Sequence, residues 1–366
     1  MAFALPACAA TALSINVVGA QAQWNLVEEL RIGTGDSEPH TFTDIRGIAV
    51  GTGGRILVLD YKVQEIRMFD AAGTFLKLAA RRGQGPGEIS TANGLAQGAD
   101  GTIWVNDPAN SRFSLFKPDG SFLRQHIVPI RSYGFIWNGT VDARGRVNDP
   151  LFIDTSKGDV GMRIRRIGPD GATGDSLDIS CRLARSPVAP WIARSKNGQM
   201  GMAVPFTASA SIRLDPRGFA WCTPGDVYRV ARVRLGGSDT LAVAERRIEP
   251  VAVTAAERAA VIARTDSALK QYETNNVDYS QMPRVKPFIE GLEVDDAGRL
   301  WVRRPAPDRT ITVFDVFDEG GRFLATVRAP FRIDPYRHPV IRGDVVHVVV
   351  IDDDDVQNVV RARIRR

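Results

Sequence analysis

A repeat with a spacing of 47 residues constrains this chain more than any other feature. Setting residues 45–78 above residues 92–125 pairs Gly54 with Gly101, Asp60 with Asp107 and Gly73 with Gly120. Three independent markers at one offset identify a single supersecondary unit written twice. A unit this small cannot bury its own faces, so it must stack on neighbours.

Each copy spells four short strands. In the first copy they are 47–50, 55–59, 65–69 and 74–78, separated by Gly53-Gly54, by Asp60 and its neighbours, and by Asp70-Ala71-Ala72-Gly73. The second strand is apolar almost throughout, as a strand covered on both faces should be. Four antiparallel strands at a period of about 40–50 residues make the blade of a β-propeller. Fainter copies begin at Val141–Gly145, Leu214–Gly218 and Val294–Gly298. Trp104, Trp221 and Trp301 each follow a turn glycine by three residues, the place for an apolar wedge between blades.

The C-terminal segment offers only three strands, 330–342, 345–351 and 356–364, and the missing fourth is supplied by Trp24–Gly33. Pairing Leu26–Ile32 with Val356–Ile364 closes the ring and removes an exposed sheet edge. On that strand Leu26, Glu28, Leu30 and Ile32 are expected to share one face. The expected fold is therefore all-β: a single six-bladed propeller of four-stranded antiparallel blades over residues 23–366, closed by its N-terminal strand. One segment, about 254–284, interrupts the pattern between blades four and five. Thr254-Ala255-Ala256-Glu257 reads as a capping box opening a helix that runs to about Tyr272. A helix that replaces no strand is expected to lie on a rim and to be dispensable for folding.

Ahead of the propeller, residues 1–22 carry an apolar run ending in Ala20-Gln21-Ala22, the small-x-small form of a secretory signal cut after Ala22. The expected location is outside the cytoplasm, in the periplasm or extracellular space, and no later stretch is long and apolar enough to cross a bilayer. An oxidising compartment permits a bridge between Cys181 and Cys222, and two cysteines alone leave it open. The formal charge is +5, but only seven of the 47 basic residues are lysine and the arginines are scattered. A nucleic-acid footprint would be clustered and interleaved with aromatics, so no nucleic-acid partner is expected. The chain is expected to be a monomer.

The segments Arg82-Gly83-Gln84-Gly85-Pro86-Gly87-Glu88, Asn93-Gly94-Leu95-Ala96, Ile103–Asp107 and Pro118–Phe122 resemble an NHL-type repeat. The whole chain is similar to exported bacterial six-bladed propellers related to NHL-repeat proteins. That resemblance implies an architecture and a binding or scaffold role rather than an activity.

The chemistry-bearing motifs are sparse. Gly83–Gly87 is not followed by the Gly-Lys-Ser/Thr of a phosphate loop and reads as a turn between blades. Asp352–Asp355 lacks the spaced ligands of a calcium loop and reads as a solvated turn. His40, His126, His338 and His347 show no paired metal spacing, and His347, in a valine-rich strand, reads as a core residue with its nitrogens satisfied. The turn glycines place Arg46, Asn93 and Glu290 at one equivalent position before the inner strands, with Trp137 and Asn138 close to it. These five are the candidate ligand-binding residues, ringing the mouth of a central channel. The leading expectation is a non-catalytic module that binds a protein, peptide or glycan without a cofactor. The alternative is a metal-dependent lactonase or esterase: gluconolactonase-like propellers hold calcium at such positions, which implies Asn93 and Glu290 as ligands here.

Overall fold

The structure, a computed structural model, describes residues 22–366 except 36–37, 131–134, 155–159, 184–187 and 353. The expected leader and its cleavage site, apart from Ala22, lie outside the described residues. The chain is all-β with one α-helix. Strand β1 (Gln23–Ile32) is followed by a first sheet of β2 (Ile45–Val50), β3 (Ile56–Asp60), β4 (Glu65–Phe69) and β5 (Phe75–Ala80). A second sheet holds β6 (Gly94–Gln97), β7 (Ile103–Asp107), β8 (Arg112–Phe116) and β9 (Phe122–Ile127), and a third holds β10 (Thr140–Val141), β11 (Val147–Asp154), β12 (Val160–Ile167) and β13 (Thr173–Leu183). After β14 (Trp191–Ser195) and β15 (Gly198–Met202) come the fourth sheet, β16 (Ser211–Asp215), β17 (Phe219–Thr223), β18 (Arg229–Arg234) and β19 (Thr240–Glu245), then α1 (Ala255–Leu269) and β20 (Thr274–Asn275). The rest is β21 (Gly291–Val294), β22 (Leu300–Arg304), β23 (Thr312–Phe317), β24 (Phe323–Ala329), β25 (Val340–Arg342), β26 (Val345–Ile351) and β27 (Gln357–Arg365).

The first four sheets run in strict chain order from inner to outer strand. The last is eight-stranded, in the order β21-β22-β23-β24-β1-β27-β26-β25. The N-terminal strand thus pairs on both sides: antiparallel with β27, from Asn25↔Arg365 to Ile32↔Val359, and parallel with β24 through Gln23↔Thr326. The parallel pairing is not foreshadowed by the sequence.

The register of β1 also corrects one expectation. It slips between Glu28 and Leu30, so Glu29 bulges out and carboxylate contacts with Arg363 and Arg361 hold it below the usual range. One extra residue inverts the side-chain alternation. Leu26 therefore packs with Trp301, Phe314 and Val360, whereas Ile32 packs with Ile45, Phe69 and Val359.

The recurring markers of the repeat have structural roles. Asp60 is fully buried at the end of β3, where it accepts hydrogen bonds from the backbone of Thr43 (2.9 Å) and Asp44 (3.1 Å) and so fixes the chain entering β2. Asp107 does the same for Ser90 and Thr91 before β6. In the next strand of each unit Arg67 donates to the Thr41 carbonyl, and Arg112 donates to the carbonyls of Gln84, Gly85 and Glu88. The glycine-rich loop therefore closes its carbonyls around a guanidinium, the reverse of the inward N–H groups that cradle phosphate.

The tryptophans separate the sheets. Trp104 packs with Trp137, Val141 and Val147, Trp221 with Leu292 and Leu300, and Trp301 with Ile341 and Val346. Cys181 on β13 and Cys222 on β17 form a disulfide with a Cα–Cα distance of 6.2 Å, tying the third sheet to the fourth. His347 is buried as expected, but its Nε2 has no hydrogen-bond partner among the described residues, and burial pushes its pKa down to about 4.

The helix begins with the expected capping box: the Thr254 hydroxyl accepts from Glu257 N, and Glu257 accepts from Thr254 N. It does not stand alone. The hairpin β14–β15 pairs with β20 in a small sheet that sequence analysis missed, and Val261 of α1 packs with Trp191, Val204 and Met282. Glu257 also reaches Lys286 at 2.7 Å, both side chains 7% exposed.

Candidate functional site

Six inner strands, β2, β6, β10, β16, β21 and β25, wall a cavity of about 660 Å³. Glycine lets them approach: a side chain at Gly47 would strike Leu95, and one at Gly94 would strike the backbone of Trp137. The lining at one end comes from Arg46, Trp137, Asn138, Arg213 and His338, and at the other from turn residues such as Thr52, Asp100, Arg217 and Asp296 with Arg342 at the end of β25.

The strongest chemistry lies at the first end. His338, just before β25, has Nδ1 2.9 Å from Glu293 Oε1 on β21 and Nε2 2.7 Å from Asn138 Oδ1, just before β10. Arg213 of β16 lies 3.1 Å from the other oxygen of Glu293. Four separate segments thus meet in one chain of contacts spanning the cavity. Burial would raise the Glu293 carboxyl, but Arg213 and His338 outweigh it and hold the group below its ordinary range. Burial, with Arg213 and Arg337 beside it, lowers the His338 pKa despite Glu293, which favours the neutral ring. A carboxylate only accepts, so Nδ1 carries the proton toward Glu293.

Of the five residues expected from sequence, three meet on the cavity wall: Arg46, Trp137 and Asn138. Arg46 pairs with Asp44 at 3.0 Å and lies over the Tyr61 ring, while Arg337 holds the other oxygen of Asp44 at 2.7 Å. Trp137 is set by Asp149, which accepts from its Nε1 at 2.8 Å and is itself paired with Arg165. Burial raises the Asp149 carboxyl against the pull of Arg165.

Asn93 sits elsewhere. It is 1% exposed, its amide donates to the Phe135 carbonyl, and its side-chain oxygen accepts from Asn106. Glu290 stands 3.6 Å from Arg303, and burial raises its pKa against that neighbour's attraction. To hold calcium, Asn93 would have to give up internal hydrogen bonds and Glu290 its guanidinium, so the pair does not fit a metal cage. Among the described residues no three His, Cys, Asp or Glu side chains gather to hold a metal.

Glu293, Arg213 and His338 were missed as site residues, though a signal for two of them was present. Counting back five residues from the turn glycines Gly54, Gly101, Gly145, Gly218 and Gly298 gives Ala49, Ala96, Thr140, Arg213 and Glu293. Small residues in the first three and opposite charges in the last two mark the level at which the cavity becomes polar. The expected ring of Arg46, Trp137 and Asn138 lies three or two residues before this level on the same wall.

No family model matches the sequence, and no curated protein matches it. Solved structures do resemble it. The PQQ-bound aldose sugar dehydrogenase of Streptomyces coelicolor aligns with a TM-score of 0.50 at 12% identity, over 94% of this chain and 99% of that one. Virginiamycin B lyase of Staphylococcus aureus aligns with a TM-score of 0.44 at 12% identity, over 93% and 99%. A gluconolactonase from Xanthomonas campestris aligns with a TM-score of 0.44 at 13% identity, over 88% and 86%. At 12% identity the likeness to the dehydrogenase speaks to architecture alone, and it agrees with the sheet topology of four-stranded antiparallel units: this chain is a β-propeller.

Proposed function

We propose that this protein is an exported, six-bladed propeller that binds a small polar ligand, a glycan fragment or the end of a peptide, in its central channel without reacting it. The observation that carries this reading is the cavity of about 660 Å³, to which six inner strands each contribute. Its size lies in the ordinary range for small-molecule sites, roughly 300–1,000 Å³. The blade count takes the eight-stranded sheet as two blades, β21–β24 and β25–β27 with β1, which leaves α1 between the fourth and fifth. Export is supported by the disulfide, which suits an oxidising compartment, and by the small-x-small pattern at Ala20–Ala22. A relation to NHL-type repeats is supported by the motifs Arg82–Glu88, Asn93–Ala96 and Pro118–Phe122.

The test is a thermal-shift screen of neutral sugars, sugar acids, amino acids and dipeptides. It is repeated on Asn138→Trp, which places a large ring at an exposed position on the cavity wall. A ligand that raises the melting temperature of the parent protein and not of the variant supports the channel as the site. Ligands that stabilise both equally place binding elsewhere and overturn the reading.

A further inference from the structure

The contacts of His338 carry more than a binding pocket of unspecified polarity. Both ring nitrogens face oxygen: Nδ1 faces the Glu293 carboxylate, and Nε2 faces Asn138 Oδ1 at 2.7 Å. A ring protonated only at Nδ1 leaves Nε2 as an acceptor, which the Asn138 carboxamide satisfies by turning its NH2 inward, whereas an oxygen at Nε2 requires the imidazolium. The charged groups around His338 are Glu293 from β21, Arg213 from β16 and Arg337 from its own segment, the last shared with Asp44 next to β2. The two guanidiniums and burial oppose a second proton, and Glu293 alone does not offset them. An oxygen ligand at Nε2 therefore needs a second proton on the ring, which a negative group on the cavity side would favour.

We infer that the channel ligand carries a carboxylate, which displaces the neutral amide of Asn138 at His338 Nε2 and is bound together with one proton. This inference rests on the channel reading above and names the ligand's chemical class. A carboxylate presents the same planar oxygen as the carboxamide at Nε2 and adds that negative charge. Arg46 and Arg213 lie on the same wall, each beside a carboxylate, Asp44 and Glu293. Trp137 is held rigid by Asp149 beside Asn138, so the displaced amide can rotate without disturbing the wall.

The test follows the His338 ring by NMR through a pH titration in sodium acetate, in acetamide and in sodium chloride at matched ionic strength. Its signal is identified by its absence in His338→Gln. If that variant does not fold, it is identified by elimination with His40→Gln and His126→Gln, His347 titrating lowest. The expected result is a His338 pKa about one unit higher in acetate than in chloride, with acetamide giving no rise. An unchanged His338 pKa in acetate overturns the inference. If a neutral sugar still binds in a manner blocked by Asn138→Trp, the channel reading survives that failure. If nothing binds there, both fall.

Discussion

The ring of repeat units and the patch on its rim are held together in different ways. In the first and second sheets each loop is fixed twice, by a buried aspartate at the end of the second strand and by a buried arginine in the third, and the sheets are wedged apart by large aromatics. The patch of β14, β15, β20 and α1 is held by one small apolar cluster around Trp191, by the Glu257–Lys286 pair and by a few hydrogen bonds of its own, such as Trp191 to Gln281 and Arg258 to the Met282 carbonyl. The difference teaches that a repeated unit can distribute its stability around a closed ring, whereas a decoration stands or falls on a few local contacts. Damage to the ring should therefore be global, and damage to the rim should be local.

The largest effect is expected from the ring's closure. Removing residues 23–32 takes away the partner of β27 and the parallel staple to β24, and bares an apolar edge. The truncated protein should lose several kcal/mol in a single cooperative transition, on the order of burying Leu26 and Ile32 plus a strand's hydrogen bonds. It should also associate, as read by denaturant melting and light scattering. A truncated protein that melts like the parent as a monomer would show that closure lies elsewhere.

A second blow to the ring comes from acid. The folded His347 has a pKa of about 4, below its ordinary value of 6.5, so the unfolded chain binds the proton more readily. Stability from this residue is complete above the unfolded value and is lost as pH falls through about 6.5 to 4, a total of about 3 kcal/mol. His347→Leu should flatten that limb in melts taken between pH 7 and 4. An unchanged slope would mean that other groups govern acid unfolding.

The smallest effect belongs to the rim. Glu257→Ala removes half of the capping box and the carboxylate partner of Lys286, which keeps its bond to the Ala306 carbonyl, at a cost of about 2 kcal/mol. Hydrogen exchange should rise over residues 188–207 and 254–282 while β2–β9 keep their protection. Equal loss in both regions would erase the distinction between ring and rim. Excising the helix alone should behave like a stronger version of the same lesion, because it would bare Trp191. The expectation of a dispensable helix, drawn from an interrupted strand pattern, is tested by the same measurement.

The fold was legible where sequence marks recur in space. Gly54 and Asp60 have counterparts 47 residues on, and Trp104 has counterparts three residues after later turn glycines, because turns, loop anchors and wedges recur from unit to unit. The partner of β1 was legible because β27 would otherwise be a bare edge. The bulge at Glu29 was not, since a single extra residue leaves the composition of the strand untouched. The rim sheet was hidden because Thr274–Asn275 is two polar residues, whose pairing depends on the hairpin they meet. The site was half legible: Trp137 and Asn138 were found by their place before an inner strand, and His338 escaped because its partners are 45 and 200 residues away.

The central claim is that the channel is a ligand site centred on His338. Diffraction from crystals soaked in 4-bromobenzoate tests it most directly, because the bromine marks the position of a carboxylate small enough for a cavity of about 660 Å³. The account predicts one bromine peak inside the channel, with the carboxylate against His338 Nε2 and the Asn138 amide turned away. Bromine peaks confined to outer-surface arginines, with Asn138 still against His338, would contradict it.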